Sequence, residues 1–161
     1  MKKSWFLVLI ISLISCQPDT KNKNDIYNLS EKELKENLIE ANKIAAQKES
    51  IQIDGYVSRR KLAVSKTGTG LRYVVYHEGK GEKAKNGKIA VVKYEVSLID
   101  GTVCYSTKEK GAEEFIIGKD NVESGLHEGI TYMKVGDKAK IIIPSYLAHG
   151  LAGDFKKIPV R

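Results

Sequence analysis

The spacing of apolar residues changes character three times along the chain. Residues 5–14 (WFLVLIISLI) form one apolar run interrupted by a single Ser. It is too short to span a bilayer, which needs about 20 residues, and with the basic start Met1-Lys2-Lys3 it has the proportions of a secretory signal core. Residues 17–28 (QPDTKNKNDIYN) are polar and aperiodic and predict a flexible tether. A helix follows. Ser30 and Glu33 make a Ser-x-x-Glu capping box, Leu29 and Leu34 take the staple positions, and Leu34, Leu38, Ala41 and Ala45 recur at helical spacing beside Ile44. That stripe is thin and alanine-rich, so the helix is expected to pack on something rather than fold alone. Residues 51–62 read as a second helix, weakened by Gly55, with Arg59-Arg60-Lys61 as a solvated end.

Thr67-Gly68-Thr69-Gly70 marks a boundary, beyond which the period falls to two. Strands are predicted at 71–76, 89–98, 102–105, 114–117 and 138–143, with a loop at 79–87 and a hairpin turn at Asp100-Gly101. Residues 122–133 predict one helix, with Val122, Leu126, Ile130 and Met133 on one face. Strands around one embedded helix indicate the α+β class.

Composition changes this picture only by exclusion. The chain has 161 residues, 42% hydrophobic and 29% charged, which suits one domain with an accessory segment. Its net charge of +7 divides into +2, +2 and +3 over residues 1–15, 16–66 and 67–161, with lysines alternating with acids. Nucleic-acid binding needs a concentrated basic stripe, so it is not expected. Of the 2 cysteines, Cys16 closes Leu13-Ile14-Ser15-Cys16, which resembles the bacterial lipobox whose Cys is acylated. Several acyl chains on one residue make a stable anchor. Cys104 is then unpaired and reads as a small buried hydrophobe.

The obvious chemistry fails on spacing. Gly81 and Gly87 are separated by five residues rather than four, and Ile89 follows Lys88 where a phosphate loop needs Ser or Thr. His77, His127 and His149 have no metal-ligand spacing, and no Gly-x-Ser-x-Gly or His-Glu-x-x-His occurs. Glu113-Glu114 and Glu123/Glu128 are indistinguishable from surface charge.

Five ordered segments nevertheless resemble one family. They are Gly87-Lys88-Ile89-Ala90-Val91-Val92-Lys93-Tyr94; Asp100-Gly101-Thr102-Val103 with Ser106-Thr107; Phe115-Ile116-Ile117-Gly118 with Val122, Gly125-Leu126 and Glu128-Gly129; Met133-Lys134-Val135-Gly136-Asp137-Lys138-Ala139; and Ile143-Pro144-Ser145-Tyr146-Leu147-Ala148-His149-Gly150. Together they resemble the FKBP-type peptidyl-prolyl isomerases. With the lipobox, the helical stretch, Arg59-Arg60 and Cys104-Tyr105-Ser106, the whole resembles the lipoprotein branch of Bacteroidetes that includes gliding-motility-associated isomerases.

The resemblance implies a curved antiparallel sheet wrapped around one short helix, preceded by a helical arm. It divides the chain into a signal peptide (1–15), a tether (16–29), an arm (30–66) and an isomerase domain (67–161). It implies cis/trans isomerisation of X-Pro bonds in client polypeptides outside the cytoplasmic membrane, with no cofactor and no metal. Tyr94, Phe115, Val122 and Leu126 become apolar walls and floor, the Glu123 N–H a donor to a substrate carbonyl, and His149 the counterpart of a Tyr whose hydroxyl reaches substrate. Departures from the family pattern are Leu126 for a Trp floor, Glu123 for an Ile, Cys104 for a Phe, and Tyr105 for a buried Asp, which removes the site's polar partner. The chain stops at Ile158-Pro159-Val160-Arg161 where the family continues into another strand, so the domain is expected to be C-terminally incomplete. The rival expectation is a non-catalytic peptide-binding or chaperone module. A homodimer paired through residues 30–62 is a further expectation.

Overall fold

The computed structural model describes residues 30–160; the signal segment, Cys16 and the tether lie outside the described residues. Helix α1 spans Glu31–Arg59 and is followed by strands β1 (Ser65–Lys66), β2 (Arg72–His77), β3 (Ile89–Val92), β4 (Glu95–Ser97), β5 (Val103–Ser106) and β6 (Glu113–Ile116). Helix α2 (Ser124–Ile130), strand β7 (Lys138–Ile142) and a 3-10 turn at Ser145–Leu147 complete the order. The chain clusters into two compact units that divide between Leu38 and Ile39, so the greater part of α1 belongs with the strands.

In the first unit, the capping box forms as expected. The Ser30 N–H donates to Glu33 Oε2 at 2.9 Å, and the Glu33 N–H to Ser30 Oγ at 3.3 Å. The expected second helix is instead a continuation of the first, running unbroken through Gly55. A helical glycine costs about 1 kcal/mol relative to Ala. Two neighbours outweigh that cost: Ile53 is 1% exposed, and Asp54 holds a buried guanidinium. The helix ends where Lys61 turns left-handed (φ 51°) and the Leu62 N–H returns to the Val57 carbonyl. Leu34, Leu38 and Ile44, on the expected apolar stripe, are exposed, while α1 buries Glu49 and Ile53.

Among the described residues all strand pairs are antiparallel, and they fall into three small sheets: β1-β2-β7, β3-β6 and β4-β5. The predicted strand over 89–98 is split at Lys93-Tyr94. There Thr107 Oγ1 accepts the Tyr94 N–H at 2.9 Å, while the Tyr94 carbonyl accepts both the Thr107 N–H at 3.0 Å and its hydroxyl at 3.2 Å. β3 pairs β6 while β4 pairs β5. The Asp100-Gly101 turn is present, with Gly101 at φ 100° and Asp100 Oδ1 accepting the Thr102 N–H at 2.8 Å.

Helix α2 is shorter than predicted and leaves Val122 and Met133 outside. Its buried residues are Gly125 and Gly129, one turn apart. A Cβ at Gly129 would stand 2.8 Å from Ile141 Cδ1, and one at Gly125 would overlap Ile143 and meet the Leu147 carbonyl at 3.1 Å. The helix backbone thus rests directly on β7 and the segment after it.

Arg72 fastens α1 to β2. It is 1% exposed, and its guanidinium donates to Asp54 Oδ1 (2.6 and 3.1 Å), Ser50 Oγ (2.7 Å), the Ser50 carbonyl (3.3 Å) and the Gly70 carbonyl (2.5 Å). Asp54→Ala removes the only carboxylate in that set and is expected to destabilise the fold by about 1.5–3 kcal/mol, the range for hydrogen bonds to charged groups. Urea unfolding measures this; a loss under about 0.5 kcal/mol, the scatter of ordinary surface changes, would show that the carbonyls and Ser50 suffice.

Candidate functional site

The site is assembled by strand alternation and by the entry into α2. Phe115 on β6 faces Ala90 of β3 and is 5% exposed. Glu113, two residues earlier, shares its face of the strand. Tyr94, in the break between β3 and β4, donates its hydroxyl to Glu113 Oε2 at 2.6 Å, so Tyr94 and Phe115 stand on one side of the β3-β6 ladder. The His127 ring of α2 packs edge-on against Phe115 with centroids 5.7 Å apart. Val122 and Leu126 are half-buried at the start of this helix.

Glu123 and His149 meet. Glu123 is the N-cap of α2, yet its side chain makes no capping bond; Glu123 Oε1 lies 3.0 Å from His149 Nε2. The Glu123 carbonyl accepts the Leu126 and His127 N–H groups, opening the helix. Of the six predicted residues, Glu123 and His149 are in direct contact. Tyr94 and Phe115 share a face, and Val122 and Leu126 flank the Glu123 turn in sequence.

Three polar residues that sequence reasoning passed over hold this arrangement. Glu113 anchors the Tyr94 hydroxyl; its phase with Phe115 along β6 was the available signal. His127 accepts the Gly118 N–H on Nδ1 at 2.8 Å, so its ring proton is on Nε2, which donates to the Asp120 carbonyl at 2.9 Å. The neutral ring thereby buckles the loop after β6 onto α2. Asp120 Oδ2 accepts the Ile116 N–H at 2.6 Å from the other side of that loop.

Tyr105 is bonded to Asp154. The Tyr105 hydroxyl donates to Asp154 Oδ2, and Asp154 Oδ1 accepts the N–H groups of Lys156, Lys157 and Ile158 at 2.8–2.9 Å. A carboxylate is therefore present beside Tyr105, supplied from the loop after the 3-10 turn. The Tyr105 hydrogen bond holds the Asp154 carboxyl well below the usual carboxylate range, and the same bond raises the Tyr105 phenol. Cys104 is 2% exposed, as a small buried hydrophobe should be.

The hydrogen bond to Glu113 pushes the Tyr94 phenol up to about 12; burial and the charges of Glu113 and Glu123 act in the same direction. A raised folded-state value means that this stabilisation is complete below pH 10, the ordinary tyrosine value, and is lost as pH rises through about 12. In Glu113→Gln the Tyr94 phenol is expected to fall back toward 10, read from the titration of the Tyr94 ring carbons by NMR. A titration unmoved by that change would remove Glu113 as the cause.

Comparison with known proteins bears on the same residues. Residues 80–161 match the family of FKBP-type peptidyl-prolyl cis-trans isomerases. The chain is 37% identical over 138 residues to FkpA of Buchnera aphidicola subsp. Schizaphis graminum, covering 81% of this chain and 54% of that protein. It is 36% identical over 105 residues to FK506-binding protein 2 of Yarrowia lipolytica, covering 65% and 72% respectively. The crystal structure of FkpA from Escherichia coli superposes with a TM-score of 0.58 at 31% identity, covering 86% of this chain and 71% of that one. The chain spans about half the length of the Buchnera relative. From the matched span and these relatives, the chain belongs to the FKBP-type peptidyl-prolyl cis-trans isomerase family.

Proposed function

We propose that the chain catalyses cis/trans isomerisation of X-Pro peptide bonds at the face formed by Tyr94, Phe115, the Glu123 turn and His149. The family match over residues 80–161, which contain every one of these residues, carries the reading. Rotation about a prolyl amide faces a barrier of about 18–20 kcal/mol set by resonance between nitrogen and carbonyl. Transfer of the amide onto a dry apolar surface disfavours its charge-separated planar form, and a surface shaped for the twisted form lowers the barrier further. Each 1.36 kcal/mol removed is worth tenfold in rate. Phe115 supplies the buried ring for that surface. Tyr94 has its proton committed to Glu113 and serves as a wall, while the Glu123 N–H, at the helix entrance, is placed to receive a substrate carbonyl.

The clients are proline-containing polypeptides. We place the protein outside the cytoplasmic membrane, in the periplasm or at the cell surface, held by acyl chains on Cys16 as in the Bacteroidetes lipoprotein branch. The exposed side chains of Leu34, Leu38 and Ile44 support pairing of two copies through α1. Cys16→Ser is expected to move the protein from the membrane fraction to the soluble fraction of the producing bacterium; retention in the membrane would overturn the lipid anchor.

A protease-free prolyl-isomerisation assay tests the activity itself. Phe115→Ala is expected to lower kcat/KM by more than about tenfold, with Phe115→Leu as the variant that keeps core volume should Ala cost the about 3–5 kcal/mol of a buried aromatic. Unchanged catalysis in a folded variant would refute the assigned surface. A folded wild-type chain without catalysis that still binds proline peptides would instead establish the peptide-binding module.

A further inference from the structure

We propose that Glu49, on α1, is a positioning residue for the isomerase site. It sets the loop 144–150 and, through that loop, His149. The inference rests on the isomerase reading of the site. Glu49 is 7% exposed although acidic, and both of its oxygens are directed at one residue 96 positions away: Oε1 accepts the Ser145 N–H at 2.9 Å and Oε2 the Ser145 hydroxyl at 2.7 Å. Bonds to an ionised acceptor are about twice as strong as neutral ones, and two of them on one residue fix its orientation as well as its position.

Ser145 is the hub of the loop. Its carbonyl accepts the N–H groups of Ala148 at 3.0 Å and Gly150 at 2.7 Å, the two residues that flank His149. The turn so closed presents the His149 ring to Glu123 Oε1 at 3.0 Å. Ser124, the first residue of α2, donates to the Leu147 carbonyl at 3.1 Å and holds the same loop from the other side. Tyr146 donates to the Thr69 carbonyl at 2.8 Å, one residue before the carbonyl held by Arg72. A continuous path of bonds therefore runs from Glu49 through Ser145 and the closed turn to His149 and the N-cap of α2. The helix that sequence reading treats as an appended arm enters the geometry of the site.

The test uses the full chain with Glu49→Ala, Glu49→Gln and Ser145→Ala, followed by prolyl isomerisation of a Leu-Pro tetrapeptide and by the NMR signals of the His149 ring. Glu49→Ala is expected to shift the His149 signals and to lower kcat/KM about tenfold, as small misplacements of a site do. Glu49→Gln keeps an oxygen for the Ser145 N–H and is expected to restore most of both readouts. Ser145→Ala loses only the hydroxyl bond and is expected to shift the same signals by less. Should Glu49→Ala fail to fold, Ser145→Ala carries the test, and unmoved His149 signals there overturn the proposal. Glu49→Gln falling as far as Glu49→Ala would also overturn it, since charge rather than positioning would then be at work. A wild-type chain without isomerase activity would refute the isomerase reading alone, because the His149 signals still decide whether Glu49 positions the loop.

Discussion

A guanidinium removed from water must find partners for its donors, because an unpaired buried charge costs far more than the fold can supply. Arg72 meets that requirement by drawing on two segments at once: Asp54 and Ser50 from α1, and the Gly70 carbonyl from the turn that leads into β2. Much else depends on this arrangement. It fixes the rotation of α1 about its own axis, so that Ile53 faces the core and Glu49, one turn earlier, faces Ser145. It fixes the start of β2, whose Arg72 pairs Ile142 of β7. The segment after β7 carries the loop that ends at His149, so the buried charge and the site share one framework.

A second constraint acts at α2. Without side chains at Gly125 and Gly129, the helix approaches Ile141 and Ile143 closely enough that its N-terminal turn stands over the loop 144–150. The contacts between Ser124 and Leu147 and between Glu123 and His149 exist only at that distance. A Cβ at these positions would press the helix off Ile141 and Ile143, which links a packing detail of two glycines to the geometry of the Glu123 turn.

Much of this was legible in the sequence, and the failures share a cause. Ser30 and Glu33 bond as a capping box should, and Asp100-Gly101 turns the chain where a hairpin was expected, because both motifs act within four residues. Phe115, which the family resemblance names as an apolar wall, lies buried on β6. The continuous strand over 89–98 was misread because the group bonded to Tyr94 at the break, the Thr107 hydroxyl, is 13 residues away and local pattern carries no trace of it. The part of α1 that holds Glu49, Ile53 and Asp54 went unmarked for a related reason. Apolar spacing pointed to Leu34, Leu38 and Ala41, whereas the helix docks through an isoleucine and a set of polar residues whose partners are 18 to 96 positions distant. Hydrophobic periodicity cannot register a face that is buried by hydrogen bonds. Asp154 escaped notice likewise: its role depends on Tyr105, 49 residues earlier.

Three titratable groups near the site are committed to holding structure. The Tyr94 proton is held by Glu113, and the phenol, at about 12, stays neutral through the physiological range. Both nitrogens of His127 are occupied by the backbone of the loop it fastens. Asp154 is occupied by three amides and a phenol, and its depressed carboxyl takes up no proton near neutrality. Each of these three groups holds a loop or a ring in place. The proposed isomerisation breaks no bond and moves no proton, and it needs a surface whose shape does not yield when the amide twists. Polar groups committed to geometry supply that stiffness around Phe115, and the helix α1, through Glu49 and Ser145, extends it to the far side of the loop.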